Sequence, residues 1–150
     1  MAQPSLAVLI DGDNISPRYA DALFAKIQSL GTTKVCRLYC DGAHKKSWAS
    51  VLSRYPLHCR RIGTPMPGKN AADIALVIDA MDLLHNYHFN GFCIVSSDSD
   101  FARLALRLRR QEAVVYGFGC RDHTPLGYQR ACREFFYVDD IKAPPTPLPA

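Results

Sequence analysis

The stretch from Phe92 to Phe101 constrains the fold most, because a short apolar run ends there abruptly in hydroxyl and carboxylate side chains. Its first residues, Phe92-Cys93-Ile94-Val95, are typical of a parallel strand that is covered on both faces. The polar residues Ser96-Ser97-Asp98-Ser99-Asp100 follow, and periodic apolar residues then predict a helix. Ligands bind at the carboxyl ends of strands in open α/β sheets, so the stretch predicts a buried strand that runs into a site.

A second apolar strand, Leu6-Ala7-Val8-Leu9-Ile10, is predicted near the N-terminus and ends in Asp11-Gly12-Asp13-Asn14. A reversal of winding after the third strand places this first strand beside the fourth. The side chains expected at that edge of the sheet are Asp11, Asn14, Asp98 and Asp100. Carboxylates so close together repel one another unless a cation compensates, and the default interpretation is a divalent metal site.

The remaining residues continue the alternation of strands and helices. Further strands are predicted at 33–40, 57–62, 113–118 and 135–138, and helices after Ser16-Pro17, at 45–55, after Lys69, at 101–110 and at 125–132. The apolar face predicted for the long helix after Lys69 is Ile74, Val77, Ile78, Met81 and Leu84. This alternation predicts an α/β three-layer sandwich with a mostly parallel central sheet flanked by helices. The expected domain is residues 1–141, and the proline-rich residues 142–150 are expected to be a disordered tail or a linker to a further domain.

Composition limits the choice of function only weakly. The chain has 150 residues, of which 48% are hydrophobic, so it suffices for one domain with one good core. A net charge of +4 permits a polyanionic partner but does not require one. The six cysteines include no C-x-x-C pair and are expected to be reduced core residues. Because no signal peptide or membrane span is visible, we expect a cytoplasmic protein without membrane contact.

One further carboxylate is predicted to reach the same site. Asp73 lies in the first turns of the long helix, one residue from its predicted inward stripe, and four residues after Lys69. An acidic residue there also suits the helix dipole, which is the structural alternative to a ligand role. Asp79 and Asp82 are turned away from Asp73 and are expected to be surface or buried partners rather than ligands.

Three motifs in this order resemble the NYN domain family, a group of PIN-like nucleases, and in particular its bacterial LabA-like branch. The motifs are Ile10-Asp11-Gly12-Asp13-Asn14, Lys69-x-x-x-Asp73 and Ser96-Ser97-Asp98-Ser99-Asp100-Phe101. The resemblance implies a PIN-like sheet with a Mg²⁺ or Mn²⁺ site that cleaves RNA. Carried over residue by residue, the implied catalytic residues are Asp11, Asn14, Asp73, Asp98 and Asp100, and the implied metal ligands are the four aspartates among them. Asp13 is carried over only as a group that supports the ligands.

Hard oxygen ligands without a Cys/His set independently favour Mg²⁺ or Mn²⁺ over zinc. The candidate substrate contacts are Lys69, Ser97, Arg103 and Arg107, with Arg110 continuing the row of arginines on one helix. Each has an alternative: a salt bridge from Lys69 to Asp73, a helix cap for Ser97 and a solvated face for the arginines. Trp48 and Tyr128 are either base-stacking residues or core residues.

The favoured hypothesis is a metal-dependent ribonuclease that cuts single-stranded RNA endonucleolytically, with a homodimer left open. A non-catalytic RNA-binding module with the same fold is the first alternative. A haloacid-dehalogenase-type phosphatase would use Asp11 as nucleophile and Asp13 as acid, but Asn14-Ile15 follow where Thr or Val is usual. A phospho-receiver domain needs a lysine after the acids, whereas Lys69 precedes Asp98.

Overall fold

The computed structural model describes residues 4–60 and 71–141. Its strands are β1 Ser5–Asp11, β2 Thr32–Tyr39, β3 His58–Arg60, β4 Gly91–Val95, β5 Val114–Gly119 and β6 Glu134–Tyr137. Its helices are α1 Ala20–Leu30, α2 Gly42–Ser47, α3 Ala49–Arg54, α4 Ala71–His85, α5 Phe101–Arg110 and α6 Leu126–Ala131, and a 3₁₀ turn, Pro17–Tyr19, precedes α1. In these residues no helix has both the length and the apolar character needed to cross a membrane.

The six strands form one parallel sheet in the order β3-β2-β1-β4-β5-β6. The predicted α/β class and the predicted neighbourhood of the first and fourth strands are therefore confirmed. Ile10 of β1 is in register with Val95 of β4, so the two polar segments that follow begin side by side. The loops after β1, β2, β4 and β5 leave the sheet at this edge, and the winding reverses between β1 and β4.

Alternating side chains of each strand divide the core between the two faces of the sheet. Ala7, Leu9 and Ile94 pack under α4, α5 and α6 on one face. Leu6, Val8 and Val95 pack with α1 and with the α2 and α3 segment on the other. Both faces of β1 and β4 are therefore covered, which explains why residues 6–10 and 92–95 are apolar throughout. The six cysteines are free thiols, as expected.

Trp48 is a core residue and not a base-stacking platform. It is fully buried, and its indole Nε1–H donates to the carbonyl of Gly12 at 3.2 Å. The helix predicted over 45–55 is broken at this residue into α2 and α3, since the buried indole fixes the backbone between them. Gly12 must remain small, because a Cβ there would lie 2.6 Å from Leu38 Cδ1. Tyr128 is likewise buried, and its hydroxyl donates to the Ile94 carbonyl at 3.1 Å.

The apolar face predicted for α4 is wrong in most of its members. The residues that α4 buries are Ala72, Leu76, Asp79, Ala80, Leu83 and Leu84. Ile74 and Ile78 are instead 58% and 61% exposed. This helix is apolar on nearly every side, so periodicity could not select the packed face. The polar contacts of Asp73 and Asp79 select the packed face of α4. Both carboxylates must turn toward the sheet to make these contacts.

Asp79 anchors α4 to β2 and β3, so of the two roles expected for it the buried partner is the one that the structure shows. Its Oδ2 accepts a hydrogen bond of 2.6 Å from the Tyr39 hydroxyl. The same oxygen lies 3.2 Å from Nη1 of Arg37 and 3.2 Å from Nε of Arg60. Burial and the neighbouring carboxylate both raise the pKa of Tyr39, which keeps its hydroxyl a proton donor.

Replacing Asp79 with alanine is expected to lower the free energy of unfolding by about 2 kcal/mol, because the buried Tyr39 hydroxyl loses its acceptor and two arginines lose their counter-ion. Guanidinium unfolding in the presence of EDTA measures the change. Asp82→Ala, on the exposed side of the same helix, is the matched control and should be near neutral. Equal stability of the two variants would contradict an anchoring role for Asp79.

Candidate metal centre

Three carboxylates gather at the edge of the sheet where the winding reverses. Asp11 is the last residue of β1, Asp98 lies in the loop after β4, and Asp73 lies in the first turn of α4. Each offers one oxygen, and these oxygens all lie within 4.8 Å of one another. The fold therefore brings together three of the four aspartates for which a ligand role is predicted.

Ser96 positions two of these carboxyl-bearing residues. Its hydroxyl donates to Asp11 Oδ2 at 2.8 Å and accepts the backbone N–H of Asp98 at 3.0 Å. Ser96 is fully buried, so these bonds are shielded from water. Ser96 therefore supports the positions of Asp11 and Asp98.

The other oxygen of Asp11 is deeply buried. Asp11 is 2% exposed, and among the described residues its Oδ1 is buried without a hydrogen bond of ordinary geometry. A buried carboxylate oxygen without a partner carries the cost of desolvation. A cation held between Asp11, Asp73 and Asp98 would satisfy this oxygen, and the all-oxygen donor set suits Mg²⁺ or Mn²⁺.

Both Asp11 and Asp73 resist ionisation in the folded protein. Burial raises the pKa of Asp11 from 3.8 to about 6, with added repulsion from Asp13 and Asp98 and an opposing contribution from the Ser96 hydrogen bond. Burial also raises the pKa of Asp73 to about 7, assisted by the charge of Asp11 and by a carboxyl hydrogen bond with Asp98. Without a cation, Asp11 and Asp73 therefore keep part of their protons up to a higher pH than an ordinary aspartate does.

A chain of hydrogen bonds holds the three loops around these carboxylates. Asn14 Oδ1 accepts the backbone N–H of Ser97 at 2.8 Å, which ties the loop after β1 to the loop after β4. The Ser97 hydroxyl accepts the N–H of Cys120 at 2.8 Å, and the Thr124 hydroxyl donates to the Cys120 carbonyl at 2.8 Å. Asn14 thus holds a backbone amide, and Thr124 is a supporting residue that no sequence motif marked.

Ser97 does not cap α5, which settles one of its two alternatives. The N-cap of α5 is Asp100, whose side chain makes no capping hydrogen bond. Asp100 is exposed, its backbone N–H donates to Asp98 Oδ1 at 2.9 Å, and its charge contributes to the raised pKa of Asp73. Asp100 therefore borders the trio, and its ligand role stays a prediction.

Of the other predicted site residues, the structure describes Asp13, Arg103 and Arg107. Asp13 Oδ1 accepts the N–H of Asp41 at 3.0 Å and lies 3.0 Å from His44 Nδ1. Arg103 is exposed and Arg107 half-buried on α5, and their contact with substrate stays a prediction. Lys69 lies outside the described residues.

The parallel sheet and the acidic centre at the carboxyl ends of its strands are consistent with the class of PIN-like nuclease folds. A family model for the NYN domain matches residues 5–139, nearly the whole chain. The chain belongs to the NYN domain family, which is part of the PIN-like nuclease superfamily. Members of this family are generally regarded as nucleases that use divalent metals, and the acidic trio is consistent with such a centre.

Solved structures support the same fold. A protein of unknown function from Vibrio parahaemolyticus is similar with a TM-score of 0.72 at 16% identity, covering 92% of this chain and 94% of that one. MurG from Acinetobacter baumannii is similar with a TM-score of 0.54 at 15% identity, covering 98% of this chain and 43% of that one. At such identities the likeness concerns the fold alone. No curated protein matches the sequence.

Proposed function

We propose that this protein is a metal-dependent endoribonuclease that hydrolyses phosphodiester bonds of single-stranded RNA. The observation that carries the proposal is the trio of Asp11, Asp73 and Asp98, whose oxygens converge within 4.8 Å, with one Asp11 oxygen buried without an ordinary hydrogen bond among the described residues. In this proposal the trio holds Mg²⁺ or Mn²⁺, and Asp100 at the start of α5 completes the acidic edge. Family membership supports a nuclease, and the substrate class rests on the resemblance of the motifs.

The bound cation would supply charge stabilisation to the phosphate and a lowered pKa to a water molecule. The chain itself supplies the arrangement of ligands. Ser96 fixes the orientation of Asp11, and Asn14 fixes the loop that carries Asp98, so few side chains need to reorganise.

Substrate binding is assigned to basic residues beside this centre. Arg103 and Arg107 lie on α5, which begins directly after Asp98 and Asp100. A strand of RNA that leaves the centre along α5 would place phosphates near both guanidinium groups. Lys69 is included as a point charge for the scissile phosphate, and Ser97 as a neighbouring polar contact, on the basis of the sequence motifs.

If the arginines contact phosphates, replacing Arg103 and Arg107 with glutamine should weaken RNA binding and reduce the salt slope by about one unit per lost contact. Anisotropy of a fluorescent single-stranded RNA at several salt concentrations measures both quantities. Arg133→Gln, an exposed arginine just before β6, is the matched control and should leave the slope unchanged. A slope that stays the same in all three variants would return the α5 arginines to a solvated face.

The function is tested by incubating the purified protein with fluorescent single-stranded RNA in EDTA, in Mg²⁺ and in Mn²⁺. Internal cleavage that depends on the cation is the expected result. A phosphomonoester assayed in parallel separates this activity from that of a phosphatase. RNA that is bound but never cut, over varied sequences and with both cations, would replace the enzyme with a non-catalytic RNA-binding module.

A further inference from the structure

Two arginines converge on one buried carboxylate beside α4. Nη1 of Arg37 and Nε of Arg60 each lie 3.2 Å from Oδ2 of Asp79. The Asp79 side chain is only 7% exposed, whereas the side chains of Arg37 and Arg60 are 30% and 50% exposed. The negative charge therefore lies inside, and this part of the surface presents positive charge to the solvent.

The ion pairs leave an excess of positive charge at this place. A single carboxylate compensates only one of the two guanidinium groups, and strand β3, His58–Arg60, contains no acidic residue. Each ion pair uses one nitrogen, whereas a guanidinium carries several N–H donors in a fixed plane. Arg37 also contacts the Tyr39 hydroxyl. Both arginines are thus held in place, while part of their donors can meet an anion that approaches from the solvent.

The strand register places this pair of arginines beside the acidic trio. Asp11, Tyr39 and Arg60 are partners in one row across β1, β2 and β3. Neighbouring strands lie about 4.8 Å apart, so the Cα atom of Arg60 is roughly 10 Å from that of Asp11. Along α4, Asp79 is separated from Asp73 by about 9 Å at 1.5 Å per residue. The arginine pair is therefore on the order of 10 Å from the trio by either path.

The row shares one face of the sheet with the trio. Tyr39 belongs to the core on the α4 face, and Asp11 continues the alternation of Ala7 and Leu9, which pack there. Helix α4 packs on β1 and β2, whereas α5 packs on β5. A strand of RNA that passes from the trio toward β3 would therefore meet Arg60 without crossing the sheet.

We propose that the guanidinium groups of Arg37 and Arg60 form a phosphate-binding subsite for RNA on the β3 side of the metal centre. Planar guanidinium groups suit the oxygens of a phosphate, and an ion pair that already fixes them reduces the entropy lost on binding. At 3.4 Å per stacked nucleotide, a span of about 10 Å corresponds to roughly three nucleotides from the scissile phosphate. The subsite and the arginines assigned on α5 would hold RNA on two sides of the centre.

RNA as the ligand rests on the proposed ribonuclease function, but binding at the subsite requires neither metal nor cleavage. It is measured in EDTA by the anisotropy of a fluorescent single-stranded RNA over a series of salt concentrations. Arg37→Gln and Arg60→Gln should each weaken binding about fivefold at low salt and reduce the salt slope by about one unit. Arg60→Lys keeps the charge without the planar donors, so it should restore the slope but only part of the affinity.

Arg54→Gln is the matched control for these variants. Arg54 is 37% exposed and lies 2.8 Å from Asp21, so it is also an arginine paired with an aspartate. Its neighbours Val51 and Tyr55 belong to the core on the opposite face of the sheet. This variant should keep the wild-type affinity and salt slope. Circular dichroism and thermal melting show whether each variant folds.

A second measurement changes the RNA and leaves the protein intact. Methylphosphonate linkages, which carry no charge, are introduced one at a time along the RNA. At one linkage, the neutral group should weaken binding to the wild type but should not weaken binding to Arg60→Gln any further. Losses that add at every linkage, or an unchanged salt slope in Arg60→Gln, would overturn the subsite and leave the arginines as structural partners of Asp79. Wild-type protein that binds no RNA would overturn both the subsite and the proposed function.

Discussion

Asn substitutions of Asp11, Asp73 and Asp98 are each expected to lower Mn²⁺-dependent RNA cleavage by about a hundredfold or more, and pairs of them little further. Each change removes a negative charge from the three oxygens within 4.8 Å of one another that are proposed to hold the cation. When several residues act as one unit, the first substitution already removes most of the cleavage activity, so the losses in double variants should not add. Single-turnover cleavage of fluorescent single-stranded RNA measures the rates.

Asp82→Asn is the matched control for these variants, because Asp82 is an exposed acid on the same helix as Asp73. Asp79→Asn is unsuitable, since Asp79 is buried against Tyr39 and Arg37. RNA binding should survive in the three active-site variants, because phosphate contacts elsewhere provide most of the affinity. A wild-type rate for Asp98→Asn would exclude the proposed centre.

Without a cation, the free energy of unfolding is expected to fall by on the order of 3 kcal/mol between pH 4 and pH 8. The pKa of Asp11 is raised from 3.8 to about 6 and that of Asp73 from 3.8 to about 7. At pH values between the unfolded pKa and these folded pKa values, the folded state therefore binds more protons than the unfolded state. Stability then decreases as the pH rises through this window. Asp21 has the opposite pH dependence, because its hydrogen bond with Tyr55 lowers its pKa. Its contribution to the free energy of unfolding is lost only as the pH falls below the usual range of an aspartate.

Chemical unfolding in EDTA at a series of pH values measures this dependence. Excess Mn²⁺ should reverse the trend, because the cation binds only the ionised carboxylates of the folded state. Asp98→Asn removes one of the repelling charges and should raise stability at pH 8 in EDTA by on the order of 1 kcal/mol. Stability in EDTA that increases steadily from pH 5 to pH 8 would contradict the crowding of these carboxylates.

Hydrogen bonding between distant residues explains what the motifs could not predict. Ser96 and Asp11 are 85 positions apart, and their bond exists only because β1 and β4 are neighbours in register. The strand ends were predictable, since apolar runs that stop at carboxylates mark buried strands. The hydrogen-bond partner of each polar atom was not predictable from the sequence. In the structure, Ser96, Asn14 and Ser97 bond to carboxylate and backbone groups within the protein.

Helix α4, which carries Asp73, shows most clearly what the sequence determines and what only the tertiary structure decides. The sequence by itself determined that α4 exists and that Asp73 stands in its first turn, because apolar content and local spacing act within a few residues. Only the tertiary structure decided which side of α4 packs, since that helix is apolar all round. Asp79 meets Tyr39 and Arg37, and Asp73 meets Asp98. Asp79 reaches the Tyr39 hydroxyl and Arg37 only when its side of α4 faces the sheet, and Ile74 and Ile78, on the other side of the helix, are then exposed.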